Sequence, residues 1–258
     1  MIPIAILNLK GGVGKTTLTI NLGAGLSLIS NRILLADLDP QNDLTQSLGT
    51  NPLQIKGIEF LLTKDISFQD IVIEHDINLH LLPSSVRLKD LILSLQPYLK
   101  KNINFSYSLL ENALIDHNSD YDFMLIDCPP TAGVINLNIL KYVRNVIIPV
   151  QCQYLSLIGL KKTILFIQKI KKIFNPDIKV LAIVPVMFDA RTNLSQDILN
   201  KLGESFPNLL TAQIINISTS LAESTANGKT IFEYQPNSRA ANDFRNLAVE
   251  ILDKIKIL

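Results

Sequence analysis

The chain has 258 residues, of which 47% are hydrophobic and 18% are charged, and its formal net charge is +1. This composition argues against long disordered regions, and the balanced charge means that any nucleic-acid contact must come from local basic patches. Two cysteines, Cys128 and Cys152, are too few for a disulfide framework or a four-cysteine metal site. We find no signal-peptide pattern and no apolar run near the roughly 18 residues of a membrane span, so we expect a cytoplasmic protein.

Short runs rich in Ile, Leu and Val alternate with longer helical patterns along the chain. This alternation predicts βαβ units, that is, an α/β fold with a mostly parallel sheet and helices on both faces. No repeat, low-complexity segment or linker interrupts it, so we expect a single domain over residues 1–258. The least regular stretch, 49–78, predicts short helices at an edge of the sheet. The predicted strands are 3–8, 33–37, 78–82, 122–127, 145–150, 179–186 and 210–215, and the predicted helices are 15–30, 84–100, 107–116, 155–174, 192–204, 219–227 and 239–256.

The first predicted strand runs into NLKGGVGKTT at residues 8–17. Its glycines allow the backbone to curl so that N–H groups point at phosphate oxygens, and the following helix adds its positive N-terminal end. In a loop of this kind Lys15 reaches the β- and γ-phosphates and the Thr16 hydroxyl coordinates Mg²⁺. A glycine-rich turn without a ligand is the simpler alternative, but the succession of strand, loop and helix favours an ATP site.

This loop departs from the common pattern G-x-x-x-x-G-K-[ST] in two ways. Leu9 occupies the position of the first glycine, and Lys10 adds a cation that the pattern does not require. Lys10 is either a solvated surface lysine or a cation that points outward to a nucleotide held by a second subunit. In the second case it would stabilise the charge that develops during phosphoryl transfer.

Carboxylates follow two further predicted strands. Asp37 and Asp39 end the strand at 33–37, where ligands of α/β sheets bind, and the alternation of a strand places both on one side. Asp127 ends the apolar strand at 122–127 and is followed by Cys128 and two prolines. Carboxylates at such strand ends can bind Mg²⁺ or orient an attacking water, although an acidic turn alone also explains the first pair.

Four segments of the chain resemble motifs of the ParA/MinD ATPases and follow one another in the same order as those motifs. KGGVGKTT at 10–17 resembles their deviant Walker A motif, DLDPQ at 37–41 their A′ motif, and DCPP at 127–130 their D-x-P-P segment. MFDART at 187–192 resembles their M-x-D-x-R-T segment, and with the stretch at 220–236 the resemblance runs from about residue 2 to residue 256. It implies a P-loop NTPase fold of the deviant Walker type and a Mg²⁺-dependent ATPase with slow intrinsic turnover.

The resemblance also implies a role for each matching residue. Lys10 would act across a sandwich of two subunits and two ATP molecules, Asp39 would position the attacking water, and Asp37 would support the Mg²⁺ shell. The three side chains predicted beside the base have ordinary core or loop alternatives. The implied catalytic residues are Lys10, Lys15 and Asp39; the ATP-binding residues are Lys10, Gly11, Gly12, Val13, Gly14, Lys15, Thr16, Thr17, Met187, Phe188 and Pro236; and the metal ligands are Thr16, Asp37 and Asp127.

Within this family the chain resembles the small ParA-type proteins that segregate a plasmid or chromosome. The resemblance implies an ATP-bound homodimer that binds DNA non-specifically on the nucleoid, with hydrolysis stimulated by a ParB-like centromere-binding protein. The alternative is a MinD-like membrane-associated ATPase or one that positions a protein cargo. The tail NLAVEILDKIKIL has no separate basic, aromatic-containing segment of the kind that lies on a bilayer, so we expect no stable membrane association.

Contacts to DNA phosphates require clustered Lys or Arg side chains. A solvated helix face explains the largest cluster about as well. Small family members often carry arginines before an L-S-E triplet, and Ile217 and Ser220 occupy those positions here. The candidate contacts are Lys161, Lys162, Lys169, Lys171, Lys172, Lys229, Arg239 and Arg245.

Overall fold

A seven-stranded sheet forms the centre of the computed structural model, which describes residues 1–29, 31–99, 108–117 and 119–256. The strand order is β3-β4-β2-β5-β1-β6-β7, and all neighbours are parallel except the antiparallel pair β3 and β4. The predicted α/β class with a mostly parallel sheet is confirmed. The strands are β1 (Ile2–Ile6), β2 (Ile33–Asp37), β3 (Ile73–Asp76), β4 (Leu79–Leu82), β5 (Phe123–Asp127), β6 (Asn145–Gln151) and β7 (Lys179–Val186).

Helices cover both faces of this sheet, which explains why its central strands are apolar at nearly every position. Along β1 and the residue that follows it, Ile4 and Ile6 belong to one buried cluster, whereas Ala5 and Leu7 belong to the other. The first cluster is covered mainly by α1 and α11, and the second by α3 and α5 to α8. The helices are α1 (Lys15–Ser27), α2 (Asp43–Ser47), α3 (Ile58–Leu62), α4 (Leu88–Leu99), α5 (Leu109–Leu114), α6 (Val134–Tyr142), α7 (Tyr154–Ile173), α8 (Asn193–Ser205), α9 (Thr219–Ala226), α10 (Ile231–Tyr234) and α11 (Arg239–Lys256).

The strand register brings the ends of three strands together. Asp127 of β5 pairs with Ile6 of β1 on one side and with Asp37 of β2 on the other. The loop after β1 therefore leaves the sheet beside two carboxylates, at the edge where ligands of parallel sheets bind.

One predicted strand is wrong. Residues 210–215 contain one isolated bridge, between Ile183 and Leu210, and no continuous ladder. The reason is that the Glu250 carboxylate accepts the N–H groups of Ala212 and Gln213, both at 2.9 Å, in place of a neighbouring strand.

Four elements were not predicted: β3, α2, α6 and α10. In α6 the sequence VINLNILKY combines β-branched residues with asparagines and carries no clear helical period. β3 carries the polar sequence IEHD and pairs with β4 at the edge of the sheet, so the expectation of short helices over 49–78 is wrong for this part. The predicted boundaries at 30, 100 and 107 lie outside the described residues. No helix in the described part of the chain is both long and apolar enough to cross a bilayer.

Candidate active site

The loop between β1 and α1 adopts the curled backbone that its glycines predict. Gly12 and Gly14 have φ angles of 71° and 75°, in the left-handed region that favours glycine. A Cβ at Gly14 would also lie 3.3 Å from Cε of Met187, so the loop approaches the segment after β7 closely. Lys15 begins α1 and is 7% exposed.

A cavity of about 420 Å³ lies over this loop. It brings together residues from four separate segments of the chain, including the loop after β2 and the loop after β5. Asp39 and Met187, two of the predicted site residues, thus lie at the same cavity as the phosphate loop. The lining residues are Gly11, Gly12, Val13, Gly14, Lys15, Thr16, Thr17, Asp39, Gln41, Asp43, Pro130 and Met187.

Thr16 and Asp127 are in direct contact, since the Thr16 hydroxyl donates a hydrogen bond of 2.6 Å to Oδ2 of Asp127. The other carboxylate oxygen, Oδ1, is buried and has no hydrogen-bond partner among the described residues. Burial raises the pKa of Asp127 well above its usual range, and the Asp37 charge adds to the rise, while Thr16 and Lys15 oppose it. An orphaned buried carboxylate oxygen is costly unless a cation or a proton satisfies it.

These residues fit a Mg²⁺ ion bound together with a nucleotide. Mg²⁺ is usually held by one or two carboxylates, substrate phosphates and water. The described residues contain no cluster of three or more His, Cys, Asp or Glu that could hold a metal without such help. Thr16 and Asp127 would therefore supply the protein ligands, and phosphate and water the remainder.

Asp37 lies behind this pair and is fully buried. Its Oδ2 accepts hydrogen bonds from the Thr45 N–H (2.9 Å) and the Thr45 hydroxyl (2.6 Å), and its Oδ1 accepts from the Asp39 N–H at 3.2 Å. Burial raises the pKa of Asp37 to about 6, although these hydrogen bonds oppose the rise. Asp37 thus holds the loop after β2 in place, and from this position it could act on a metal only through the outer shell.

Asp39 faces the cavity and is 7% exposed. One of its oxygens accepts a hydrogen bond from the Gln41 N–H at 3.0 Å. Burial raises the pKa of Asp39, and the Gln41 hydrogen bond and the Lys15 charge oppose the rise. A carboxylate that lines the cavity beside the phosphate loop can orient water there.

In the single protomer Lys10 is bound within its own subunit, and its contact with the nucleotide of a second subunit stays a prediction. Its ammonium donates hydrogen bonds to Oγ of Ser156 at 3.0 Å and to Oε1 of Gln151 at 3.3 Å. The reason is that β6 ends and α7 begins with polar acceptors next to the loop. The side chain is half-buried, so it is not the solvated lysine of the alternative interpretation.

The three predicted base contacts lie in different surroundings. Met187 lines the cavity, is 39% exposed and has a φ of 51°, rare outside glycine. Phe188 is 8% exposed and packs in the core, so its ring does not line the cavity. Pro236 is exposed beyond α10, and its carbonyl accepts a hydrogen bond from Arg245 at 2.7 Å.

Sequence reasoning missed Thr45 and the two acceptors of Lys10. Gln151 is a polar residue at the end of an apolar strand, the same signal that identified Asp127. Ser156 carries no such signal, because its contact with Lys10 joins residues that are 146 positions apart. Cys128 is fully buried, and burial raises the pKa of its thiol well above the usual value, in keeping with the absence of a predicted role.

The candidate DNA contacts form one exposed group and several separate residues. All five lysines of α7 are exposed, and none takes part in an ion pair among the described residues. Lys229 and Arg239 are exposed elsewhere, whereas Arg245 bonds to Pro236 and covers the Phe232 ring. The five lysines, Lys161, Lys162, Lys169, Lys171 and Lys172, are called the α7 lysine stripe below.

The two positions aligned above with arginines of the family differ from each other in exposure. Ile217 is 57% exposed, so a side chain at this position reaches the surface. Ser220 is 7% exposed and shares a hydrogen bond of 2.6 Å with Ser218. The surface near α9 therefore offers one of these positions to a partner, not both.

Several known proteins are similar to this chain over nearly its whole length. The profile of the AAA domain family matches residues 1–180. The chain is 34% identical over 250 residues to the sporulation initiation inhibitor protein Soj of Bacillus subtilis, covering 96% of this chain and 97% of that protein. It is 33% identical to the chromosome partitioning protein ParA of Myxococcus xanthus, over 97% of this chain and 88% of that protein. The structure of cobyrinic acid a,c-diamide synthase from Mycobacterium smegmatis with bound ATP analog and magnesium superposes with a TM-score of 0.83, at 31% identity, over 99% of this chain and 96% of that chain.

Proposed function

This chain belongs to the ParA/MinD family of ATPases, and from that premise we propose that it is a small ParA-type ATPase that segregates a plasmid or chromosome. Its relatives support a partition-type ATPase. In the cycle we propose, an ATP-bound homodimer binds DNA non-specifically on the nucleoid. Hydrolysis of ATP to ADP and phosphate, stimulated by a ParB-like centromere-binding protein, releases the DNA. We also propose that residues 1–258 form one domain with this activity.

The observation that carries the enzymatic part is the contact of Thr16 with Asp127 beside an orphaned carboxylate oxygen. An unpartnered buried carboxylate oxygen is costly, and a Mg²⁺ ion bound together with a nucleotide beside the glycine-rich loop would satisfy it. When bound, Mg²⁺ would neutralise phosphate charge at this point. Thr16 and Asp127 would hold it, with Asp37 behind them orienting the loop after β2.

The remaining residues would bind the nucleotide and direct water. Lys15 would contact the terminal phosphates, with the loop N–H groups of residues 11–17 around them. Asp39 would orient the attacking water and accept its proton. Met187 is the best-placed candidate for the base, because it lines the cavity next to Gly14. Phe188 and Pro236 have less support, since neither lines this cavity.

Lys10 would act on the nucleotide of a second copy of the chain. A cation brought in at that moment stabilises charge that develops on the phosphoryl group. Hydrolysis would then depend on dimer formation, so we expect weak turnover by the protomer alone.

The α7 lysine stripe is the surface that we propose for DNA. Its lysines are exposed and free of ion pairs in the described part of the chain, so they are available to phosphates. The chain's near-neutral total charge concentrates any such contact on local groups of this kind. Ile217 lacks the charge that similar proteins often place near α9, so the stripe has to supply more of the binding.

A MinD-like membrane ATPase and a cargo-positioning ATPase share every residue of this site. They differ in the surface that the ATP-bound form recognises, and the exposed lysines favour DNA over an apolar bilayer contact. The similar mycobacterial structure is named a synthase, and a synthase would need a second substrate, the acceptor, for turnover. Turnover by this chain without any acceptor would separate the two.

The proposed dimer can be tested by light scattering with Mg²⁺ and a non-hydrolysable ATP analogue. We expect the mass of the wild-type protein to double with the analogue and not with ADP. Lys10→Ala should still bind the analogue but remain a monomer, whereas the exposed control Lys89→Ala should behave as wild type. Normal dimerisation of Lys10→Ala would show that Lys10 has no role across the interface.

A further inference from the structure

The ammonium of Lys10 is held inside its own protomer by two acceptors that the proposed reaction does not use. Ser156 lies in the first turn of α7 and is fully buried, and its hydroxyl oxygen lies 3.0 Å from Nζ of Lys10. Gln151 is the last residue of β6, and its Oε1 lies 3.3 Å from the same nitrogen. A lysine that must reach another subunit is therefore already bound elsewhere.

The backbone around Lys10 is also held by side chains of the same protomer. Oδ1 of the fully buried Asn8 accepts the Lys10 N–H at 2.9 Å, and Oγ1 of Thr163 in α7 accepts the Leu9 N–H at 3.0 Å. A Cβ at Gly159 would lie 3.0 Å from Cβ of Lys10, tighter than an ordinary contact. Glycine at this position of α7 thus leaves the space in which the lysine side chain lies.

Both acceptors are neutral, and this determines how the lysine can be released. None of the ion pairs among the described residues involves Lys10. Hydrogen bonds to neutral oxygens hold an ammonium group less strongly than a carboxylate or a polyphosphate does. A triphosphate presented by a second subunit can therefore compete for this lysine, whereas a carboxylate at the same place would retain it.

Gln151 connects the same arrangement to the phosphate loop. Its Nε2 donates to the carbonyl of Gly12 at 2.7 Å and lies 3.0 Å from Sδ of Met187. Since the carbonyl and N–H of a trans peptide point in opposite directions, the Val13 N–H points away from Gln151. One amide side chain thus contacts Lys10, the phosphate loop and the candidate base contact.

We propose that Ser156 and Gln151 are positioning residues that form a resting dock for Lys10, which must leave the dock before it acts on the nucleotide of a second copy. The inference rests on the proposed function, because it assumes that Lys10 works across a dimer. The dock disfavours premature dimerisation, and its neutral acceptors keep that restraint weak enough for the partner's ATP to overcome.

Two substitutions at Ser156 test the dock, because they should shift dimerisation in opposite directions. Ser156→Ala removes one acceptor of a charged donor, and we expect ATP-analogue-dependent dimerisation at about tenfold lower protein concentration. Ser156→Asp adds a carboxylate that can pair with the Lys10 ammonium, and should retain Lys10 and weaken dimerisation. Loss of folding alone cannot produce both shifts. The control Ser94→Ala removes a hydroxyl that bonds only within its own helix and should change nothing.

Gly159→Ala gives the same test without touching a hydrogen-bonding group. Its methyl group would press on the Lys10 side chain, so we expect tighter dimerisation than wild type, although alanine also favours the helix. If the wild-type protein dimerises with the analogue but neither Ser156→Ala nor Gly159→Ala shifts the midpoint, the dock is refuted and the proposed function stands. If the wild-type protein does not dimerise, both the dock and the proposed function fail.

The reactivity of Lys10 gives a readout that needs no dimer. The nucleotide-free protein is treated briefly with acetic anhydride, and acetylation of Lys10 is measured by peptide mass spectrometry relative to the exposed Lys89. We expect Ser156→Ala to raise the relative acetylation of Lys10 several-fold and Ser156→Asp to lower it. Equal reactivity in all three proteins would contradict the dock.

Discussion

On the β2 and β5 side of the phosphate loop the acidic groups are buried and fixed by strand register, whereas on the β6 and α7 side the basic groups are half-buried or exposed. Asp37 and Asp127 are paired across neighbouring strands, and both are fully buried. Lys10 is half-buried between two neutral acceptors, and the α7 lysine stripe is exposed. The β2 and β5 side, called the fixed side below, is suited to hold one geometry through every turnover. The β6 and α7 side, called the switching side below, can exchange its contacts, as the proposed switch between monomer, dimer and DNA-bound forms would require.

The largest effect should come from Lys15, which belongs to the fixed side. We expect Lys15→Ala to reduce ATP turnover at least about 100-fold, because a preorganised cation at developing charge is lost. A phosphate-release assay with saturating ATP and Mg²⁺ measures this. Lys89→Ala removes an exposed lysine and serves as the control. Normal turnover of Lys15→Ala would remove the basis for the assigned phosphate loop.

Asp39→Ala should separate hydrolysis from binding. Loss of a group that orients water and accepts its proton should lower turnover by about 100-fold. Binding of ATP and dimerisation should persist, because neither the loop nor Lys10 is altered. Single-turnover hydrolysis and light scattering on the same sample give both quantities. If hydrolysis is unaffected, the water-orienting role belongs to another residue.

The raised pKa of Asp37, on the fixed side, predicts that the free energy of unfolding depends on pH. This pKa rises from 3.8 to about 6 on folding, so Asp37 contributes stability that is full below pH 4 and is lost as pH rises through 6. The change amounts to about 3 kcal/mol of unfolding free energy at roughly 1.4 kcal/mol per unit. Urea unfolding between pH 4 and 7, without nucleotide or Mg²⁺, should show a steeper decline for the wild-type protein than for Asp37→Asn.

The exposed Asp90→Asn variant is the control for that series, since its carboxylate is solvated in the folded chain. It should keep the decline of the wild-type protein. Equal pH profiles for wild type and Asp37→Asn would mean that Asp37 stays ionised in the folded chain.

The smallest effect should come from the switching side, where the α7 lysine stripe lies. Removing two lysines of the stripe, Lys162→Ala with Lys169→Ala, should reduce the salt dependence of DNA binding by about two units of log–log slope. Lys56→Ala with Lys89→Ala removes the same charge outside α7 and should leave the slope unchanged. Fluorescence anisotropy with labelled random DNA across a salt series measures both.

Ile217→Arg sharpens this comparison by adding charge instead of removing it. Its side chain is exposed, so we expect a steeper slope by about one unit and tighter binding. Ser220→Arg should instead destabilise the fold, because that side chain is buried. No response to Ile217→Arg would mean that DNA does not approach α9.

The charged residues of the fixed side were predictable from sequence, although Thr45, which holds Asp37, was not. Asp127 ends an apolar strand and Lys15 follows a glycine-rich loop, and parallel strands bring such ends to one edge of the sheet. The switching side was not predictable, because its contacts join distant positions through packing. The docking of Lys10 depends on Ser156 and on the space at Gly159, and neither has a local signal. The segment 210–215 failed for a similar reason, since Glu250 from α11 satisfies its backbone.

The central claim is a nucleotide-switched DNA-binding ATPase, and the Asp39→Ala protein on random-sequence DNA tests it most directly. With ATP and Mg²⁺ we predict binding that weakens steeply as salt rises, and with ADP we predict none. Equal binding with ATP and ADP would contradict the switch. No binding with either nucleotide, while light scattering shows the ATP-bound dimer, would contradict DNA as the recognised surface.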